Sequence, residues 1–273
     1  MKPVLIVPIE LYSRVDIINY NFVLKIEEIN QVQNAIDIAK EYRQCVSILC
    51  EFNDISIGTL LKTNIQSSVN MYINCIFNGD LLSVIKLLNT KEHSPFITYL
   101  FPVETPLLVT LLKVLSSCGY KSGVKFDHAN VIDQDTWIEL ATYSYLSPVP
   151  HAPIEPFGYI QQEIHNKEVK YVDINKFYFN APDTFVHINK DGGVYLNCEF
   201  PNFQRRLCDS VDDISKHNFS EISLEYRKLC FYNHFDNEDE CSKCAHFKVC
   251  SGFYKNQFSD CQEIMSTIYE MLF

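Results

Sequence analysis

Four cysteines near the C-terminus carry the clearest chemical signal in this chain. Cys241 and Cys244 stand three apart, Cys250 follows, and Cys261 closes the set. Two thiolates three apart in a turn can reach one ion. Zn2+ and iron–sulfur clusters both accept soft anionic sulfur in a tetrahedral arrangement. Two further cysteines nearby would complete a four-thiolate site. Such a site keeps no open position, which favours a structural or electron-carrying role over Lewis-acid catalysis. Lys243 and Lys248 would offset part of the ligand charge, and His246 could replace a cysteine around zinc. Cys45, Cys50, Cys75 and Cys118 instead fall in apolar runs and read as small core side chains.

A second, weaker set could do acid–base work. Asp127 and His128 end one predicted strand and Glu104 lies just past another. The carboxyl ends of strands are where active sites of βα domains lie. The sequence has no Ser-His-Asp arrangement, no phosphate-binding glycine loop and no His-Glu-x-x-His motif.

The elements that must position these groups repeat through the first half. Strand-like runs begin near Val4, Val46, Met71, Ile97 and Val124, with an extra strand over Phe22–Ile26. Helix-like stretches follow at Asp54–Lys62, Asp80–Leu88, Thr105–Cys118 and Asp135–Leu146, and Ile29, Val32, Ile36 and Ala39 form an earlier helical stripe. Alternating strands and helices predict βα units and a parallel sheet. Thr105 and Pro106 fit the cap and first position of the helix that buries Leu108, Leu111, Leu112 and Leu115, and Gly119 suits its left-handed close.

The segment from Ser147 to Pro156 holds four prolines. Proline forbids a continuing helix, so an extended connector and a domain boundary are expected here. Beyond it, Tyr171–Phe179 reads as a strand. Phe185–Ile188 and Val194–Cys198 read as a hairpin around Asp191-Gly192-Gly193. Short helices are expected over Val211–Lys216 and Glu221–Leu229, the latter capped by Asn218 with Glu221. The acidic tract from Asp236 to Glu240 reads as a solvated loop. The expected division is 1–150, a bridge over 151–184, and a cysteine-rich α+β domain over 185–273.

Bulk numbers narrow the function classes. With 273 residues and 47% hydrophobic content the chain can bury a large domain and a smaller one. A net charge of −11 repels phosphate backbones, so nucleic acid is not the expected partner. No apolar run approaches the ~20 residues of a membrane span, and the N-terminus does not read as a signal peptide. A cytoplasmic protein with reduced thiols is expected, and the odd count of 11 cysteines rules out a fully paired disulfide framework. The composition leaves a homo-oligomer open.

The C-terminal part resembles the SPASM domain, the auxiliary-cluster extension of radical SAM peptide and protein maturases. Gly193 and Cys198 match the Gly-x4-Cys of that family. Cys241, Cys244 and Cys250 match its Cys-x2-Cys-x5-Cys, and Cys261 matches its last cysteine. Two departures stand out. Tyr254 replaces the cysteine after Cys250, and no cysteine precedes Gly193 in this region. The resemblance therefore implies one 4Fe-4S cluster held by Cys241, Cys244, Cys250 and Cys261, with Zn2+ as the alternative and Cys198 as a spare ligand. It also implies that the βα half is a partial or degenerate radical-SAM-like barrel. The Cys-x3-Cys-x2-Cys that would hold the SAM-cleaving cluster is absent, and Cys45 and Cys50 are wrongly spaced, so no SAM is expected. The resemblance extends to pseudo-radical-SAM proteins of peptide maturation, including the grasp-with-spasm type. It implies a precursor peptide, or a modifying enzyme such as an ATP-grasp ligase, as partner. The alternatives are an enzyme using Glu104, Asp127 and His128, or a zinc-stabilised interaction module.

Overall fold

A parallel strand whose two faces are both covered must be apolar nearly throughout, and the first strands meet that condition. In β1 (Val4–Pro8) every residue from Leu5 to Pro8 is buried, and in β5 (Ile97–Pro102) every residue from Ile97 to Phe101. The computed structural model describes residues 2–15, 19–63, 65–90, 94–126, 133–166, 172–197, 204–219, 221–225, 240–247 and 260–272. The fold is α/β, with a mostly parallel sheet and helices packed beside it. Contacts group the chain into two units. One comprises Met1–Glu51, Val69–Met71 and Asn175–Lys243; the other comprises Phe52–Ser68, Tyr72–Ile174 and Cys244–Phe273.

In the first unit β1 lies between β2 (Asn21–Ile26) and β8 (Phe185–Ile188), parallel to both. β3 (Cys45–Ser56) extends the parallel set beside β2. β9 (Val194–Asn197) and β10 (Gln204–Cys208) add antiparallel strands beyond β8, giving the order β10-β9-β8-β1-β2-β3. The β8–β9 turn is the expected hairpin, and Gly192 supplies its left-handed residue at φ 87°. Leu5, Phe22, Val23, Leu24 and Ile48 are fully buried here. Helix α1 (Val32–Glu41) buries Val32, Ile36 and Ala39 of the stripe read from the sequence, with Ala35 beside them, whereas Ile29 falls in the 3-10 turn before the helix and is only half-buried.

The second unit carries most of β4 (Asn70–Ile76), then β5, β6 (Lys121–Lys125) and β7 (Ile154–Glu155), in the order β4-β5-β6-β7. Both β5–β6 and β6–β7 are parallel. Its helices are α2 (Ile57–Thr63), α3 (Leu81–Leu88), α4 (Leu108–Ser117), α5 (Gln134–Leu146) and α6 (Phe157–His165). Asp80 caps α3 by accepting from Ser83 N at 3.0 Å, and Asp133 caps α5 by accepting from Thr136 N at 2.9 Å. α4 closes as expected on Gly119 at φ 87°, with Gly119 N donating to Ser116 O and Tyr120 N to Leu115 O. The core centres on Trp137, whose ring lies 4.6 Å from that of Phe157 and 5.3 Å from that of Phe126.

Several local expectations are corrected. β3 runs on through Asp54 to Ser56, so α2 starts later than expected, at Ile57. Phe52 and Ile57 are buried and hold that extension in the core. Thr105 does not cap α4. Its N–H donates to Pro102 O in a tight turn, and Leu107, at φ 55°, occupies the cap position. Where a strand was expected over Tyr171–Phe179, a short helix α7 (Ile174–Phe177) forms. Asp173, Ile174, Asn175 and Phe177 are all buried, a pattern that lacks the alternation of a half-covered strand. The proline-rich connector is extended only as far as Pro153. Ile154 and Glu155 then pair with β6, and α6 follows at once. Val211–Lys216 forms a 3-10 helix as expected, and Asn218 Nδ2 donates to Glu221.

Candidate functional site

The cysteine segment begins in α8 (Glu240–Lys243), which places Cys241 on its first turn. Cys244 follows directly after that helix. Cys241 is 6% exposed, and Cys244 is half-buried beside a turn in which Phe247 N donates to Cys244 O. Cys261 opens α9 (Cys261–Leu272), where Asp260 accepts from Glu263 N at 3.1 Å. A helix N-terminus favours an anionic ligand such as a thiolate. Cys250 and the spare cysteine, Cys198, lie outside the described residues. Among the described residues no three His, Cys, Asp or Glu side chains converge as a metal-binding group.

α9 also anchors the segment after Cys244. His246 Nε2 lies 3.0 Å from Ser266 Oγ, and its ring is 5.4 Å from that of Tyr269. α9 packs along α5, with Thr142 Oγ1 donating to Met271 Sδ at 3.9 Å. His246 therefore spends Nε2 on the helix. Three of the four early cysteines are core groups, as read from the sequence, whereas Cys118 is only half-buried at the end of α4. Cys45, Cys50 and Cys75 are buried in strands. Burial pushes the Cys45 thiol up to about 11 and raises that of Cys50 further still. A thiol held neutral in this way is a poor nucleophile and a poor ligand.

Of the acid–base candidates, Glu104 is exposed in the turn after β5. Asp127 and His128 lie outside the described residues. The sequence reading missed Glu155, at the carboxyl end of β7. Burial raises its carboxyl to about 7, opposed by the N–H of Tyr159 at 2.8 Å and by the charge of Lys121. Two glycines make room for it. A Cβ on Gly123 would lie 2.6 Å from Glu155 Cβ, and a Cβ on Gly158 would lie 3.2 Å from its carboxylate. Burial also raises the phenols of Tyr72, to about 12, and of Tyr145, with the negative charge of Glu155 adding to both. The available signal was an acidic residue between two prolines directly before an aromatic-rich helix, a place where a carboxylate can turn back onto the helix N-terminus.

The first unit has its own polar belt at the ends of β1, β2 and β8. Lys25 Nζ lies 2.5 Å from Glu51, Lys190 Nζ 2.6 Å from Glu27, and Gln31 Nε2 donates to Glu10 at 2.8 Å. The two lysines neutralise the glutamates they face, and Gln31 gives Glu10 a neutral hydrogen bond. His187 of β8 donates through Nε2 to Phe179 O at 2.8 Å, and burial lowers its imidazole to about 4.

No family model matches this chain, and no match to it is found among curated proteins or solved structures. Among the described residues no helix is long and apolar enough to cross a membrane.

Proposed function

We propose that this protein is an accessory factor in the maturation of a ribosomally synthesised peptide. Cys241, Cys244, Cys250 and Cys261 hold one 4Fe-4S cluster, and the protein binds the precursor peptide or its modifying enzyme. The βα half serves as a degenerate barrel without SAM chemistry. The observation that carries this reading is the placement of Cys241 and Cys244 three apart at a short helical turn, with Cys261 opening a helix. Four thiolates are the donor set that an iron–sulfur cluster requires. The cluster would supply a structural staple or an electron relay. The chain's own part is to seat the ligand loop on α5 through α9. The parallel strands, in sequence order over β1-β2-β3 and over β4-β5-β6-β7, support a partial-barrel reading of the βα half.

Anaerobic purification followed by iron, sulfide and zinc analysis tests the metal. The expected result is one cluster per chain with its broad visible absorption, lost in Cys241→Ser/Cys244→Ser. A colourless preparation loaded with zinc replaces the cluster by a zinc staple. Metal-free wild type removes the proposal. Pull-down with a neighbouring ligase or leader peptide tests the partner, and absence of binding at micromolar concentration rejects it.

One observation favours a second reading, an enzyme using acid–base chemistry in the βα half. Glu155 sits at a strand's carboxyl end and titrates about 7, near the pH at which an acid or base works best. In this reading Glu155, rather than Glu104 alone, moves the proton. Glu155→Gln would abolish turnover and leave the metal content unchanged.

A further inference from the structure

A groove of about 440 Å3 in the second unit carries two histidines, His151 and His165. It lies between the end of α5, the Pro153–Ile154 segment and one face of α6, with Gln161 and Gln162 beside His165. The hydrogen bonds determine which nitrogen of each ring holds the proton. His165 Nδ1 lies 2.7 Å from the backbone O of Gln161. A carbonyl oxygen only accepts, so Nδ1 must be the donor. His151 Nδ1 lies 2.9 Å from Ala152 O and 3.1 Å from Ser116 Oγ. The Ser116 hydroxyl itself donates to Ala152 O, and Ala152 N donates back to Ser116 O at 2.9 Å. If Ser116 instead donated to the imidazole, Ala152 O would face lone pairs from both neighbours. His151 therefore also carries its proton on Nδ1.

Both rings thus leave Nε2 as the lone-pair nitrogen, each held by a carbonyl on the opposite nitrogen, and both residues line one groove. That is the arrangement that prepares an imidazole for metal ligation. The Tyr143 ring, 4.8 Å from that of His151, adds to its fixation. Ser144 Oγ, which also lines the groove, is buried and has no hydrogen-bond partner among the described residues.

We propose that His151 and His165 form a two-imidazole site for a divalent transition-metal ion of Zn2+ or Co2+ type. Both rings ligate through Nε2, and water or the Gln161 and Gln162 carboxamides fill the remaining positions. Imidazole suits these borderline ions. The site is separate from the thiolate centre and does not depend on it.

The test uses untagged full-length protein carrying Cys241→Ser/Cys244→Ser, titrated with Co2+ by calorimetry and absorption. One Co2+ per chain should bind without a thiolate charge-transfer band. His151→Gln and His165→Gln should each weaken binding by more than the ~10–100-fold that loss of an orienting partner costs. His165 is exposed, so its variant retains the fold, checked by circular dichroism. Should the double-serine background fail to fold, wild type labelled with 15N-histidine gives the same answer. Zn2+ must then shift Nε2 of both rings. Binding that survives either histidine variant, a response confined to thiolate absorption, or no binding of either ion at millimolar concentration overturns the site.

Discussion

His187 in the first unit and Glu155 in the second are both titratable residues on strands of a parallel sheet, and burial of their ionisable groups moves them in opposite senses with respect to pH. His187 is lowered to about 4, so the native state holds it neutral while the unfolded chain binds the proton. Stability from this residue is present above its ordinary range and is lost as pH falls from about 6.5 toward 4. Glu155 is raised to about 7, so the native state keeps the proton that the unfolded chain releases. Stability from it is present below about 4.5 and is lost as pH rises toward 7. Desolvation is the leading cause in both; the sign follows from which form of each group is charged. The lesson is that one physical cost makes one unit sensitive to acid and the other to loss of acid. In a single cooperative transition the two slopes would largely cancel between pH 4.5 and 6.5.

Breaking the second unit's core gives the largest expected effect. Trp137 is fully buried against Phe157 and Phe126. Trp137→Ala should cost ~3–5 kcal/mol in urea unfolding, and hydrogen exchange should show the loss in the second unit first. Next comes the pH pair itself. Glu155→Gln keeps an acceptor for Tyr159 N but removes the buried charge. It should raise stability at pH 8 by about 2–3 kcal/mol and leave pH 4 nearly unchanged. His187→Gln is the mirror test in the first unit. Relative to wild type it should remove about 2–3 kcal/mol of acid sensitivity between neutral pH and pH 4. If each variant shifts the same single transition, the two units unfold together; if each shifts only one of two transitions, they unfold apart. The smallest effect is expected from the α5 cap. Asp133→Ala should lower stability by ~1 kcal/mol, read as a small shift of the urea midpoint with an unchanged slope.

Much of the fold was legible because its signals are local. The α4 stripe of Leu108, Leu111, Leu112 and Leu115 repeats at helical spacing, and all four side chains are buried. Gly119 follows it because only a residue free to adopt positive φ closes that helix cheaply. The β8–β9 hairpin was legible for the same reason, through Gly192. Misreadings arose where burial overrode pattern. Ile174 and Phe177 look like strand residues, yet both become buried through one helical turn. Thr105 has the type of a cap, but its backbone is already committed to a turn with Pro102. The candidate site divides along the same line. Cysteine spacing is a local property and was readable, whereas Glu155 depends on glycines at positions 123 and 158 that the chain brings to it.

By itself, the sequence determined the α/β class, the order of the βα units, the hairpin, and the cysteine spacing from 241 to 261. Each depends on residues within a few positions of one another, where periodicity, caps and turn preferences act directly. Only the tertiary structure decided that residues 175–243 group with the first 51, that β7 pairs with β6, and that Glu155 becomes a buried carboxyl. It also decided that His151 and His165 line one groove, each with Nδ1 at a backbone carbonyl. Those outcomes depend on which distant surfaces exclude water from one another, and desolvation is not written in any short stretch of residues.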